Sequence, residues 1–135
     1  MDVKNFFHKI LSGNKGTTVP ATVKENFALK FNHPINTEWQ KTGEQFEAVF
    51  YKDDLEHIAR YSPDGKLTCL KVNLPLEGLP PMIETTAKKH GELMNAIFIE
   101  CEESRKYELI VRDSELIRYF LLVNQDGEVA EKEKL

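Results

Sequence analysis

Hydrophobic and polar side chains alternate in three short runs between Glu44 and Leu74: Phe46–Tyr51, Leu55–Tyr61 and Leu67–Leu74. The runs are interrupted at Lys52-Asp53-Asp54 and at Ser62-Pro63-Asp64-Gly65. Period-two alternation bounded by Asp, Pro and Gly predicts a meander of antiparallel strands. A second stretch of this kind ends the chain, with Tyr107–Arg112, Leu116–Val123 and Glu128–Lys132 as strands and Gln125-Asp126-Gly127 as a turn. One further strand is expected ahead of each meander, around Thr37 and Trp39 in the first and over Met94–Glu102 in the second.

Three segments break the alternation with helical spacing. Val23, Phe27 and Phe31 stand at i, i+4 and i+8, one buried stripe, while Lys24, Glu25 and Lys30 face water. Val19-Pro20 opens this helix with Thr18 available as its N-cap, and Asn32-His33-Pro34 stops it. Leu79-Pro80 opens a second helix, Pro81–His90, which turns Ile83 and Ala87 inward and ends at Gly91. Val3, Phe6, Phe7, Ile10 and Leu11 predict a short amphipathic helix over residues 2–11, one that docks on the body or frays, with a membrane-surface anchor as the alternative. Ser12–Thr18 has the composition of a flexible linker.

The landmarks recur. Val19-Pro20 and Leu79-Pro80, Phe46 and Tyr107, and Asp64-Gly65 and Asp126-Gly127 are each separated by about 60 residues. Two units of one helix and four strands follow, residues 18–76 and 77–135, preceded by the short helix and linker of residues 1–17. One helix over four strands buries little by itself, so the units are expected to join edge to edge. The fold class is therefore α+β, a tandem repeat forming one curved eight-stranded antiparallel sheet with both helices on one face.

Val19-Pro20 with its helix, Thr37-Glu38-Trp39, Gln45–Phe50, Tyr61–Leu67 and Leu79-Pro80 with its helix together resemble the PepSY-like proteins, also called β-lactamase-inhibitor-like (BLIP-like) proteins. The resemblance covers residues 18–133 and rests on the order and spacing of these landmarks. It implies a tandem α+β fold, a curved antiparallel sheet, no assigned catalytic residue and, for most members, export from a bacterial cell. It does not imply inhibition of a β-lactamase. The second unit departs from the first in lacking a Trp at the position of Trp39.

The chain has 135 residues, a formal net charge of −4 and its lysines and arginines scattered among acids, so it carries no electrostatic footprint for nucleic acid. It contains no apolar run long enough to span a membrane. Met1–Leu11 is too broken by polar residues for a secretory signal, which favours a cytoplasmic location against the export implied by the resemblance. Cys69 and Cys101 fall in expected strands without metal-binding spacing. Each reads either as a small apolar side chain or, if the strands bring them within about 7 Å, as half of a disulfide.

His8, His33, His57 and His90 show no ligand spacing, so no metal is expected, and His33 and His90 are expected to satisfy carbonyls at helix ends. The carboxylate pairs Asp53/Asp54, Glu102/Glu103 and Glu131/Glu133 read as solvated charge. Neither a nucleophile elbow nor a phosphate loop is present, so neither a catalytic residue nor a cofactor is expected. Trp39 reads as core packing rather than a ligand platform.

Strand parity places Phe46, Ala48, Phe50, His57, Ala59 and Tyr61 under the helices, joined by Tyr107, Leu109, Val111, Ile117, Tyr119, Leu121 and Val123. The opposite face then carries Val49, Tyr51, Ile58, Arg60, Ile110, Arg112, Arg118, Phe120 and Leu122. That mixture of apolar, aromatic and arginine side chains is what protein interfaces enrich, and a water-exposed sheet face is normally more polar. The expected function is a non-catalytic protein-binding module, inhibitory or regulatory, acting through this face. Its partner is another protein or a second copy of the chain. The alternative is a small-ligand or lipid carrier using the same face, and cover by residues 2–11 competes with both. Tyr51→Ala and Phe120→Ser are expected to abolish binding while sparing stability.

Overall fold

The computed structural model describes residues 18–135. Helix α1 (Ala21–Lys30) is followed by β1 (Ile35–Thr42), β2 (Gln45–Lys52), β3 (Leu55–Tyr61) and β4 (Leu67–Asn73). A single 3-10 turn, Leu76–Gly78, leads to α2 (Pro81–His90), then β5 (Glu92–Cys101), β6 (Ser104–Arg112), β7 (Arg118–Asn124) and β8 (Val129–Lys134). The strands form one eight-stranded sheet in the order β1 to β8, every neighbouring pair antiparallel. This is the α+β sheet-and-helix architecture that the alternation predicts. The short helix expected over residues 2–11 lies outside the described residues.

Both helices pack on the same side of the sheet, each over its own half. Under α1, Val23, Phe27 and Phe31 meet Phe46, Ala48, Phe50, Ala59 and Tyr61, with Trp39 against them. Phe27 is the hub, with its ring 5.0 Å from Phe50, 5.2 Å from Trp39 and 5.4 Å from Phe31. Such tilted and edge-on contacts add to a burial that stabilises by about 1.5–3 kcal/mol per large side chain. Under α2, Ile83 and Ala87 meet Ala96, Leu109, Val111, Leu121 and Val123, an aliphatic core with Tyr107 and Tyr119 at its margin. Trp39, partly buried, packs against this core.

Three expectations about local structure need correcting. Pro20, not Thr18, occupies the N-cap of α1, with no side-chain cap bond, and its carbonyl accepts from the N–H groups of Val23 and Lys24. Proline has the fixed φ that suits a helix start, so the missing side-chain cap is tolerated. Leu116 is not the first residue of β7. It lies at φ 66° in the β6–β7 turn, where Asp113 accepts from Leu116, Glu115 and Ile117 and thereby postpones the strand to Arg118. Nor does either terminal histidine bond a helix carbonyl as expected: Lys132 Nζ stands 3.3 Å from His90 Nδ1, and His33 lies past α1 at φ 55°.

Candidate functional site: the helix-free sheet face

On the other side of the sheet a third apolar cluster forms, made of Ile58, Ile97 and Phe120 with Val49, Ile99, Ile110 and Leu122 around them. No described helix contributes to it. Antiparallel register builds this face in rows. Gln40, Glu47, Arg60, Cys69, Cys101 and Ser104 oppose one another in sequence across six strands. Val49, Ile58, Lys71, Ile99 and Lys106 form the next row, and Asn73, Ile97, Glu108 and Leu122 another. Ile110 opposes Phe120, and Arg112 opposes Arg118. Side chains alternate with a period of two along a strand, so each row shares one direction.

Eight of the nine residues expected on this face fall in these rows, and Tyr51, opposed to Glu56, shares their strand parity. Tyr51 is exposed and donates to Glu56 Oε1 at 2.9 Å, while Ile58 and Phe120 are only 2 % and 4 % exposed. That hydrogen bond, with lesser contributions from burial and the Glu56 charge, raises the Tyr51 pKa. Arg112 donates to Glu92 Oε2 at 3.0 Å and faces Arg118 across the strand pair. Because Phe120 is buried, the expectation that Phe120→Ser would spare stability is overturned: removing a buried ring leaves a cavity.

Three charged groups at the centre of this face were missed by the sequence reading. Glu47 and Glu108 are 1 % and 0 % exposed and Lys71 is 5 % exposed. Glu47 accepts from Thr42 Oγ1 at 2.5 Å and lies 3.5 Å from Arg60 Nη2. Their parity was the available signal, since Glu47 alternates in phase with Val49, and Glu108 with Ile110. Ile97 and Ile99 were missed because the start of β5 sets their parity, and a register shift between Leu93 and Asn95 obscures it.

At one end of the face Cys69 and Cys101 form a disulfide, with their Cα atoms 4.1 Å apart on directly opposed positions of β4 and β5. It staples the strands where the two halves of the sheet meet. An open groove of about 230 Å³ adjoins it, lined by Ile99, Cys101, Ser104, Lys106, Glu108 and Leu122. Asp53/Asp54 and Glu102/Glu103 occupy hairpin turns, but Glu131 and Glu133 belong to β8, opposed to Leu122 and Phe120. Among the described residues no three His, Cys, Asp or Glu side chains are grouped to hold a metal. His57 is buried under α1, stacked on Phe50 at 5.1 Å and donating from Nδ1 to Leu55 O at 2.9 Å. No described helix is long and apolar enough to cross a membrane.

No family model and no curated protein matches this chain. Solved structures do. A BLIP-like protein from Bacteroides fragilis superposes with a TM-score of 0.73 at 14% identity, over 89% of this chain and 89% of its own. A DUF2874 family protein from Bacteroides ovatus gives 0.75 at 16% identity, over 88% and 89%. A candidate periplasmic protein from Bacteroides eggerthii gives 0.76 at 14% identity, over 87% and 90%. These likenesses bear out the BLIP-like part of the resemblance at the level of fold, and none of the three is described as PepSY-like.

Proposed function

We propose that this chain is a non-catalytic protein-binding module whose interaction surface is the helix-free sheet face. The observation that carries the reading is the exposed margin of that face, Tyr51 and Arg118, around the buried cluster of Ile58, Ile97 and Phe120, to which no described helix contributes. Apolar side chains ringed by arginine and tyrosine fit a protein partner better than water. The exposed arginine Arg118 favours a partner that places a carboxylate at that corner.

The two halves, residues 18–76 and 77–135, are in this reading copies of one ancestral unit. In support, the sixth residue of each helix, Asn26 and Thr86, donates at 2.7 Å to the carbonyl of the glycine in the Asp-Gly turn of its own half. The same reading places the protein in an oxidising compartment rather than the cytoplasm, because cross-strand disulfides persist where thiols are not kept reduced.

A photo-crosslinking amino acid at Tyr51 or at Arg118, introduced in the cells that make the protein, tests the reading. A discrete protein adduct from both positions and none from the exposed helix residue Leu29 is expected. No adduct, or equal labelling from Leu29, overturns it. An adduct of twice the chain's mass identifies a second copy as the partner. The carrier alternative predicts instead a bound small molecule, visible as extra mass on the purified protein in native mass spectrometry.

A further inference from the structure

At the corner where the β6–β7 turn meets the end of β8, an open groove of about 460 Å³ is lined by Ile110, Leu116, Ile117, Arg118, Lys134 and Leu135. Small-molecule sites occupy roughly 300–1,000 Å³ and combine apolar walls with a few placed polar groups. Four of these lining residues are apolar, two are cations and none is a carboxylate. Leu116 and Leu135 are 70 % and 42 % exposed and flank Arg118. Leu116 precedes it by two residues, and the Leu135 N–H donates to Arg118 O at 2.9 Å.

Two features of this corner add nothing to folding stability. The first is the conformation of Leu116, whose φ of 66° is strained for a residue with a Cβ and whose apolar side chain stands in water. The turn fixes it there. Asp113 O accepts from the Leu116 N–H at 3.0 Å, and Asp113 Oδ1 accepts from the N–H groups of Glu115 and Ile117 at 2.9 and 3.0 Å. The second is unspent charge. Arg112, opposite Arg118, is paired with Glu92 at 3.0 Å, whereas among the described residues neither Arg118 nor Lys134 forms an ion pair. A guanidinium in that state is open to a carboxylate, which its planar fork matches with two parallel hydrogen bonds.

We propose that this groove is a site for a small molecule consisting of an aliphatic chain that ends in a carboxylate. The carboxylate pairs with Arg118, Lys134 adds a second positive charge to the wall, and the chain lies against Leu116, Ile117, Ile110 and Leu135. Charge complementarity sets the class of ligand: an alcohol or an amine on the same chain would leave the guanidinium without its partner. The inference shares Arg118 with the protein-binding reading but does not rest on it, because the size and lining of the groove suit this ligand whether or not a protein partner exists.

The test titrates the full chain, with labelled isoleucine and leucine methyl groups, with decanoate below its micelle concentration. Saturable shifts are expected at Ile110, Leu116, Ile117 and Leu135, and none at Ile83 and Leu109 beneath α2. Decanol should bind about tenfold more weakly, and Arg118→Gln should weaken decanoate about tenfold while leaving decanol unchanged, the size of one lost charge-assisted contact. Leu116→Gly removes the side chain and relieves the positive φ, so it should weaken decanoate severalfold yet unfold at the same or higher urea. Decanol binding as tightly as decanoate, an unaffected Arg118→Gln, or shifts that spread over the sheet without saturating each overturn the inference. So does the absence of decanoate binding. If photo-crosslinking at Arg118 then yields a protein adduct, the arginine belongs to a protein's carboxylate instead. Saturable decanoate binding without any crosslinked adduct upholds the groove and overturns the protein-binding reading, so the two are separable.

Discussion

The side-chain amide of Asn26 donates to the carbonyl of Gly65 at 2.7 Å, tying the middle of α1 to the turn between β3 and β4. The approach is close because Gly65 has no Cβ: one added there would lie 2.6 Å from Asn26 Nδ2, at a backbone φ of +94°. Helix, turn and sheet are thus locked together by one hydrogen bond and one absent methyl group. Asn26→Ala should cost about 1 kcal/mol. Gly65→Ala should cost more, about 1–3 kcal/mol, because it adds backbone strain to the clash. Urea unfolding of both variants checks the order, and equal losses would show that the hydrogen bond alone holds the turn.

Tyr61 presents the reverse case. Its ring is buried against Phe27 and Trp39, but its hydroxyl has no hydrogen-bond partner among the described residues, and burial pushes its pKa up to about 12. An unsatisfied buried hydroxyl costs about 1–3 kcal/mol. Tyr61→Phe is therefore expected to leave stability unchanged or raise it by about 1 kcal/mol in chemical denaturation. A loss of that size would reveal a partner for the hydroxyl.

The helix-free face separates residues that hold the fold from residues that remain available. Ile97→Ala should destabilise by about 2–5 kcal/mol, the range for a fully buried isoleucine. Tyr51→Ala, at an exposed rim position, should stay within about 0.5 kcal/mol of the natural chain. Thermal unfolding of the two variants distinguishes them. Equal, small effects would mean that the centre of the face is not packed.

Acid should weaken the protein through His57. Burial holds its pKa below the ordinary 6.5, opposed by the hydrogen bond to Leu55 O, with Lys52 lowering it further and Asp53 raising it. The unfolded chain therefore takes up the proton first, so the stability contributed by neutral His57 is complete above about pH 6.5 and is lost as pH falls through the lower folded value. His90 is shifted in the same direction, by partial burial and then by Lys132 and Lys89. The urea midpoint should fall between about pH 7 and pH 5, and His57→Phe should flatten that slope more than His90→Gln does. An unchanged slope in His57→Phe would place the acid sensitivity elsewhere.

Reduction should cost stability without dissolving the sheet. Cys69 and Cys101 are 32 residues apart in sequence, and opening a loop of that size releases denatured-state entropy equivalent to about 3–4 kcal/mol. The double variant Cys69→Ala/Cys101→Ala should unfold at correspondingly lower denaturant and no longer respond to reductant. A midpoint equal to that of the oxidised chain would show that register alone holds the β4–β5 seam.

Local pattern determined much of this protein. The i, i+4, i+8 stripe of Val23, Phe27 and Phe31 and the alternation from Phe46 to Tyr61 depend on spacings of 3.6 and 2, which the sequence carries without reference to distant residues. So do the Asp-Gly turns and the assignment of Val49, Ile58, Ile110 and Phe120 to one face, since parity follows from neighbours two residues away. Tertiary structure decided what depends on register between strands. It set Cys69 opposite Cys101, brought Arg112 against Arg118, and placed Glu47, Lys71 and Glu108 in the interior of a face that their sequence neighbours make apolar. Those pairings depend on where each hairpin closes and on the shift between Leu93 and Asn95, and a slip of one residue would turn every one of these side chains to the other side of the sheet.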